Sequence, residues 1–243
     1  MDPLCDTDSA GQDVTVSGST FRTNIASTKG GAICAVGTDN LDISDCTFNG
    51  YDVGIADDVV GSGGEVYAIN GVALTVDSSN FTDSTANNGG GSIECCGATI
   101  TNSRFAGAEA VEDGQENHGG AVLVGRPDSD DDCVNTLVLD NSYFYGCTVG
   151  DGNGGGGGSS AIFDTSAAIT GCTFQGSSGT ALPFESFDAD GGHTIIVSTR
   201  TYLPTLNGDV GYDRRPGGTW RRSKQAAHMQ TESVPWQRDA REC

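Results

Sequence analysis

LDISDCTF, residues 41–48, is one of six versions of a single pattern in this chain. The others are VTVSGSTF (14–21), LTVDSSNF (74–81), ATITNSRF (98–105), LVLDNSYF (137–144) and AAITGCTF (167–174). They align on Phe21, Phe48, Phe81, Phe105, Phe144 and Phe174. Seven residues before each Phe stand Val14, Leu41, Leu74, Ala98, Leu137 and Ala167, and five before stand Val16, Ile43, Val76, Ile100, Leu139 and Ile169. Polar residues such as Thr15, Asp42 and Thr75 fall between them. Alternation with period two is the mark of a strand with one buried face.

The alternation then slips by one. Two residues before the Phe the column is small: Ser19, Cys46, Ser79, Ser103, Ser142 and Cys172. At the slip stand Gly18, Asp45, Ser78, Asn102, Asn141 and Gly171, a set dominated by residues that tolerate a left-handed backbone. One such residue bends the chain between two short strands and keeps both apolar sets on the same side.

A glycine-rich element follows several copies: GGAI at 30–33, GGSI at 90–93, GGAV at 119–122 and a looser GSSAIF at 158–163. It predicts a further strand with glycines at the corner before it. The Phe-to-Phe distances are 27, 33, 24, 39 and 30 residues, so each repeat is one coil of three short strands plus an insertion of variable length. The pattern predicts a right-handed, single-stranded parallel β-helix of about six to seven rungs, with the Phe, branched and Ser/Cys columns as interior ladders. IIVSTRTY, residues 195–202, is a degenerate seventh copy. Leucine-rich repeats and β-propellers are excluded, because their spacing and signature residues are absent. The expected organisation is a lead-in or incomplete cap at 1–13, the repeat domain at 14–202, and a non-repeat tail at 203–243 that reads as disordered.

Charge divides at the same place. Residues 1–202 carry 28 acidic and 5 basic side chains, net −23, and residues 203–243 carry 5 and 7, net +2. An acidic body repels phosphate backbones, which argues against nucleic-acid binding. No apolar run approaches the roughly 20 residues of a membrane-spanning helix, and no signal peptide is visible at MDPLCDTDSA. The nine cysteines form no CxxC pair, and their odd number leaves at least one unpaired. Cys46 and Cys172, sharing a column with serines, read as structural thiols.

Phe21-Arg22-Thr23-Asn24 followed by Gly30-Gly31-Ala32-Ile33 resembles one unit of the polymorphic outer membrane protein repeats, built on FxxN and GGA[ILV]. The resemblance covers roughly residues 14–182. At the Asn position the other copies hold Tyr51, Ser84, Ala108, Cys147 and Ser177. The resemblance implies an adhesin-like passenger at an extracellular or cell surface, at the outer membrane if the source is bacterial. Nothing in 203–243 has the strands of the C-terminal barrel through which such passengers are exported.

The right-handed β-helix also houses pectate lyases, polygalacturonases and epimerases, so catalysis needs candidates. Asp57, Asp58 and His118 resemble the paired Asp and the His of polygalacturonases, without that family's other elements. Arg104, beside Phe105 in an outward column, is the candidate base of a lyase or epimerase. Asp128, Asp130 and Asp132 in the PDSDDD loop offer oxygen ligands to calcium, the one cofactor candidate. Asp6-Thr7-Asp8 lacks an acid at the twelfth loop position (Ser17), and Gly154–Gly158 lacks the Lys-Ser or Lys-Thr of a phosphate loop. Asn80-Phe81-Thr82 is a glycosylation sequon with Asn80 facing outward.

The sequence therefore reads as a non-catalytic surface module that binds a protein or glycan, its specificity carried by loops 52–66, 106–117 and 126–136. The alternative is a polysaccharide lyase, hydrolase or epimerase. Exposed strand edges at the terminal rungs invite self-association.

Overall fold

The computed structural model describes residues 12–23, 25–53, 61–87, 89–111, 119–125, 136–149, 166–175, 195–197, 212–215 and 219–222. Among them there are strands and no helix. The chain divides into two units, Met1–Pro204 and Thr205–Cys243. In the second, strands Tyr212–Arg215 and Thr219–Arg222 pair antiparallel within the segment whose composition reads as disordered.

The first unit holds two sheets of nine parallel strands each, neither closed into a barrel. The first sheet runs through Asp13–Ser17, Asn40–Ser44, Val66–Asp77, Ile93–Thr101, Thr136–Asp140, Ser166–Thr170 and Ile195–Val197. Ile33–Val36 and Val122–Val124 join it from the side. The second sheet contains the strands centred on the six Phe residues, together with the short strands that follow them.

Each strand pairs with its equivalent one repeat away, and the register is the sequence alignment itself. Val14, Leu41, Leu74, Ala98, Leu137, Ala167 and Ile195 form one row. The six Phe residues form another. Their rings stack with centroids 4.6–4.9 Å apart and planes within 11° of parallel. Isolated aromatic pairs favour offset or edge-on contacts, so strand spacing, rather than ring preference, sets this geometry. Phe48 to Phe174 are buried, whereas Val14, Val16 and Phe21 of the first repeat are only partly so. No single repeat has enough neighbours to bury its own apolar row.

All six residues at the slip take a positive φ, between 47° and 65°, including the non-glycines Asp45, Ser78, Asn102 and Asn141. A second left-handed corner, which the sequence reading does not anticipate, lies two residues after five of the six Phe residues, at Thr23, Gly50, Asp83, Gly107 and Gly146, and the sixth position, 176, lies outside the described residues. It turns the next residue inward. Ser84, Ala108 and Cys147 are therefore fully buried, which accounts for small residues where the repeat motif has Asn.

The small column is also a hydrogen-bonding device. Ser79, Ser103 and Ser142 each donate from Oγ to the carbonyl two residues back, at 2.7–2.9 Å. Each also accepts from the backbone N–H of the equivalent residue in the preceding repeat: Cys46 to Ser79, Ser79 to Ser103 and Ser103 to Ser142, at 3.1–3.2 Å. Cys46 and Cys172 make the first of these bonds through sulfur. A buried N–H that the sheets do not reach is thereby satisfied.

The glycine element has one copy more than the sequence reading recognised. Gly63-Gly64-Glu65-Val66 stands in register with GGAI and GGSI, since Val66 pairs with both Ile33 and Ile93. Its glycines have separate reasons. Gly63 has φ +63° and a Cβ there would meet the Val66 carbonyl oxygen, whereas a Cβ on Gly64 would meet the Gly91 carbonyl oxygen of the next repeat. The 158–163 copy lies outside the described residues.

Candidate functional site

The side chains that flank each Phe point away from the interior. Before the Phe the outward column is Thr20, Thr47, Asn80, Arg104, Tyr143 and Thr173, and after it Arg22, Asn49, Thr82, Ala106, Tyr145 and Gln175. The two left-handed corners bound this face on either side, so it is a narrow flat strip two residues wide. None of the twelve positions is acidic, in a chain with 33 acidic residues. Two of the four basic residues before Arg200, Arg22 and Arg104, stand on it.

The strip is held by side-chain bonds between repeats. Arg104 donates from Nη1 to Asn80 Oδ1 at 3.2 Å. Asn49 donates from Nδ2 to Thr82 Oγ1 at 2.8 Å, and that hydroxyl donates to the Phe48 carbonyl. Tyr143 donates from its hydroxyl to Gln175 Oε1 at 2.8 Å. The rings of Tyr143 and Tyr145 lie side by side, 6.3 Å apart and within 7° of parallel, with Tyr145 47% exposed. The corners carry Asp45 and Asp83 at the margins. A guanidinium has five N–H groups and the bond to Asn80 takes one.

The first sheet's outward face is different. It bears Asp13, Asp42, Asp77 and Asp140 among threonines and serines. Asp77 accepts from Thr101, Asn102 and Ser78, and these bonds hold its carboxyl below the usual range. Arg104 thus has Asn80 and Tyr143 as its neighbours in register, and neither is a carboxylate. Asp57, Asp58, His118, Asp128, Asp130 and Asp132 lie outside the described residues. Among the described residues no group of three or more His, Cys, Asp or Glu is placed to hold a metal ion. No helix among them is long and apolar enough to cross a membrane.

Two further features bear on chemistry. Glu65 is fully buried in an interior column otherwise made of Ala32, Ser92 and Ala121, and neither of its carboxyl oxygens has a hydrogen-bond partner among the described residues. Burial drives its pKa well above the ordinary value; the nearby Ser92 side chain opposes this without the geometry of a hydrogen bond, and Asp83 adds to the rise. Burial raises the thiols of Cys95 and Cys172 and pushes Cys147 up to about 12, which makes these three poor nucleophiles. Cys34 and Cys96 are disulfide-bonded.

Sequence reasoning singled out Arg104 and missed Tyr143, Tyr145, Asn49, Asn80 and Gln175 as its companions. The signal was present in the residues either side of each Phe (TFR, TFN, NFT, RFA, YFY, TFQ), where no acid occurs. In searches with this chain, no family model, no curated protein and no solved structure matches it.

Proposed function

We propose that the chain is a right-handed parallel β-helix of an extracellular or cell-surface protein, and that it is a non-catalytic binding module whose ligand is a glycan. The observation that carries the reading is the flat strip of Tyr143, Tyr145, Arg104, Asn80 and Gln175 on the second sheet. Parallel tyrosine rings offer a surface for the C–H face of a sugar, and amide and guanidinium groups answer its hydroxyls. The strip has no pair of carboxylates for glycoside hydrolysis.

Several observations support the setting and the fold. Disulfides at Cys34 and Cys96 suit an oxidising compartment. Parallel pairing of successive repeats requires crossovers, which are right-handed in about 98% of known cases. The FxxN and GGA[ILV] elements support kinship with the polymorphic outer membrane protein repeats, where such a role is at home.

The test is a screen of the full chain against immobilised glycans, scored for retention and for released sugar together. Retention without release is the expected result. Release of reducing or unsaturated sugar overturns the non-catalytic reading, and retention unchanged by Tyr145→Ala overturns the assignment of the strip.

A further inference from the structure

Resting on that glycan-binding reading, we propose that the ligand is a carboxylate-bearing polysaccharide that lies along the strip, parallel to the stack of repeats. The first argument is charge. The chain carries a net −21, and acids populate the first sheet's outward face, yet the strip has two guanidiniums and no carboxylate. A neutral glycan gives no reason to keep acids off this strip while Asp45 and Asp83 stand at its margins and Glu109 lies on the same sheet. An acidic ligand does, because a carboxylate placed over Asp42 or Asp77 is repelled, and one placed over Arg104 is attracted.

The second argument concerns charge density. Screening at physiological ionic strength acts over about 8 Å, so the strip's local charge is felt at contact while the acidic body is felt beyond it. A densely charged polyanion meets the body's repulsion along its whole length. A chain with one carboxylate per sugar meets less of it than a polymer with several sulfates per sugar or closely spaced phosphates, and this favours uronate-type polysaccharides.

The third argument is geometry. Arg104, steadied by Asn80, presents a planar fork suited to a single carboxylate. One repeat further on, Tyr143 and Tyr145 supply the stacking platform, and Gln175 follows in the next. The repeats advance by 4.6–4.9 Å, judged by the Phe rings, comparable with the length of one pyranose in an extended chain. Successive sugars therefore meet successive repeats: carboxylate on Arg104, ring face on the tyrosines, hydroxyls on Gln175. Arg22 stands three repeats from Arg104 at the other end of the same strip.

The probes are alginate, its propylene glycol ester, which has the same backbone with carboxylates masked, and neutral mannan, each titrated into the full chain without divalent cations. Alginate is expected to bind at least tenfold more tightly than its ester, with affinity falling as salt rises. Arg104→Gln is expected to weaken alginate about tenfold, or about 1.4 kcal/mol, and the ester, which keeps only the hydroxyl contacts of that guanidinium, by no more than about twofold. Tyr145→Ala is expected to weaken both. Equal binding of alginate and ester, or indifference to Arg104→Gln, overturns the anionic ligand and leaves glycan binding standing. Binding to none of the three, or binding untouched by Tyr145→Ala, overturns the glycan reading itself. Circular dichroism of each variant separates loss of binding from loss of fold.

Discussion

The two outward faces of this molecule are built on one interior and share nearly nothing else. Each faces outward from strands of the same repeats, bounded by left-handed corners and anchored on rows of apolar side chains in strict register. On the first sheet the outward residues are mostly Thr, Ser and Asp, with Asn40, Ala73, Val138 and Ala168 among them, and Ser78, Thr101 and Asn102 bond to Asp77. On the strip of the second sheet they are Arg, Asn, Gln and Tyr among threonines and one Ala, with an exposed ring pair and no acid at the twelve positions flanking the Phe residues. What the faces have in common is what folding requires. What separates them is not needed for folding, and is therefore where a function is to be sought.

The comparison breaks most completely if the shared interior is damaged. Phe105→Ala removes the ring between Phe81 and Phe144, and is expected to cost about 3–5 kcal/mol in urea unfolding and to disorder both faces together. Survival of one face alone would show that the sheets are independently stable. Ser103→Ala strands the Ser79 N–H and is expected to cost about 1–3 kcal/mol, whereas Ser103→Cys, copying Cys46 and Cys172, is expected to cost less.

Glu65 offers a test of opposite sign. Its folded-state pKa lies above its unfolded value of about 4.5, so its stabilising contribution is complete below that value and declines as pH rises through the window above it. Glu65→Ala, the residue found at 32 and 121, is expected to stabilise the chain by about 1–3 kcal/mol at neutral pH. The gain should shrink as pH falls toward 4, where the carboxyl is protonated in both states, as read from denaturation curves across pH. Asp77 behaves conversely, because its pKa is lowered: its contribution is present at neutral pH and lost as pH falls through the acid range.

The smallest effects on stability sharpen the comparison most. Tyr145→Ala and Asp42→Ala are each expected to change unfolding free energy by no more than about 0.5 kcal/mol, as is usual for exposed positions. Glycan retention should separate them, falling with the first and holding with the second.

The interior was legible in the sequence because repetition exposes it. Six aligned copies reveal Leu41, Ile43 and Phe48 as inward columns, and Asp45 or Asn102 as a corner, with no knowledge of a single contact. The second corner was hidden, since Thr23 and Asp83 do not announce a left-handed backbone as glycine does at Gly50 and Gly107. Gly63-Gly64-Glu65-Val66 was passed over for a related reason: an acid stands where the pattern asks for alanine, and its burial comes from neighbours in other repeats. The strip escaped notice because alignment rewards sameness, and its residues differ from copy to copy. Only Arg104, basic in an acidic chain, and Asn80, in a glycosylation sequon, stand out.

The hydroxyl column has a direction. In every link the earlier repeat offers the N–H and the later repeat offers the oxygen, from Cys46 to Ser79 to Ser103 to Ser142. A chain that emerges from its N-terminus, whether from a ribosome or through an export pore, therefore has the open bond of each finished layer closed by the layer that arrives next. At any moment only the growing tip is incomplete in this column. In a chain that folds layer by layer from its N-terminal end, each arriving layer would close the bond the one before it leaves open.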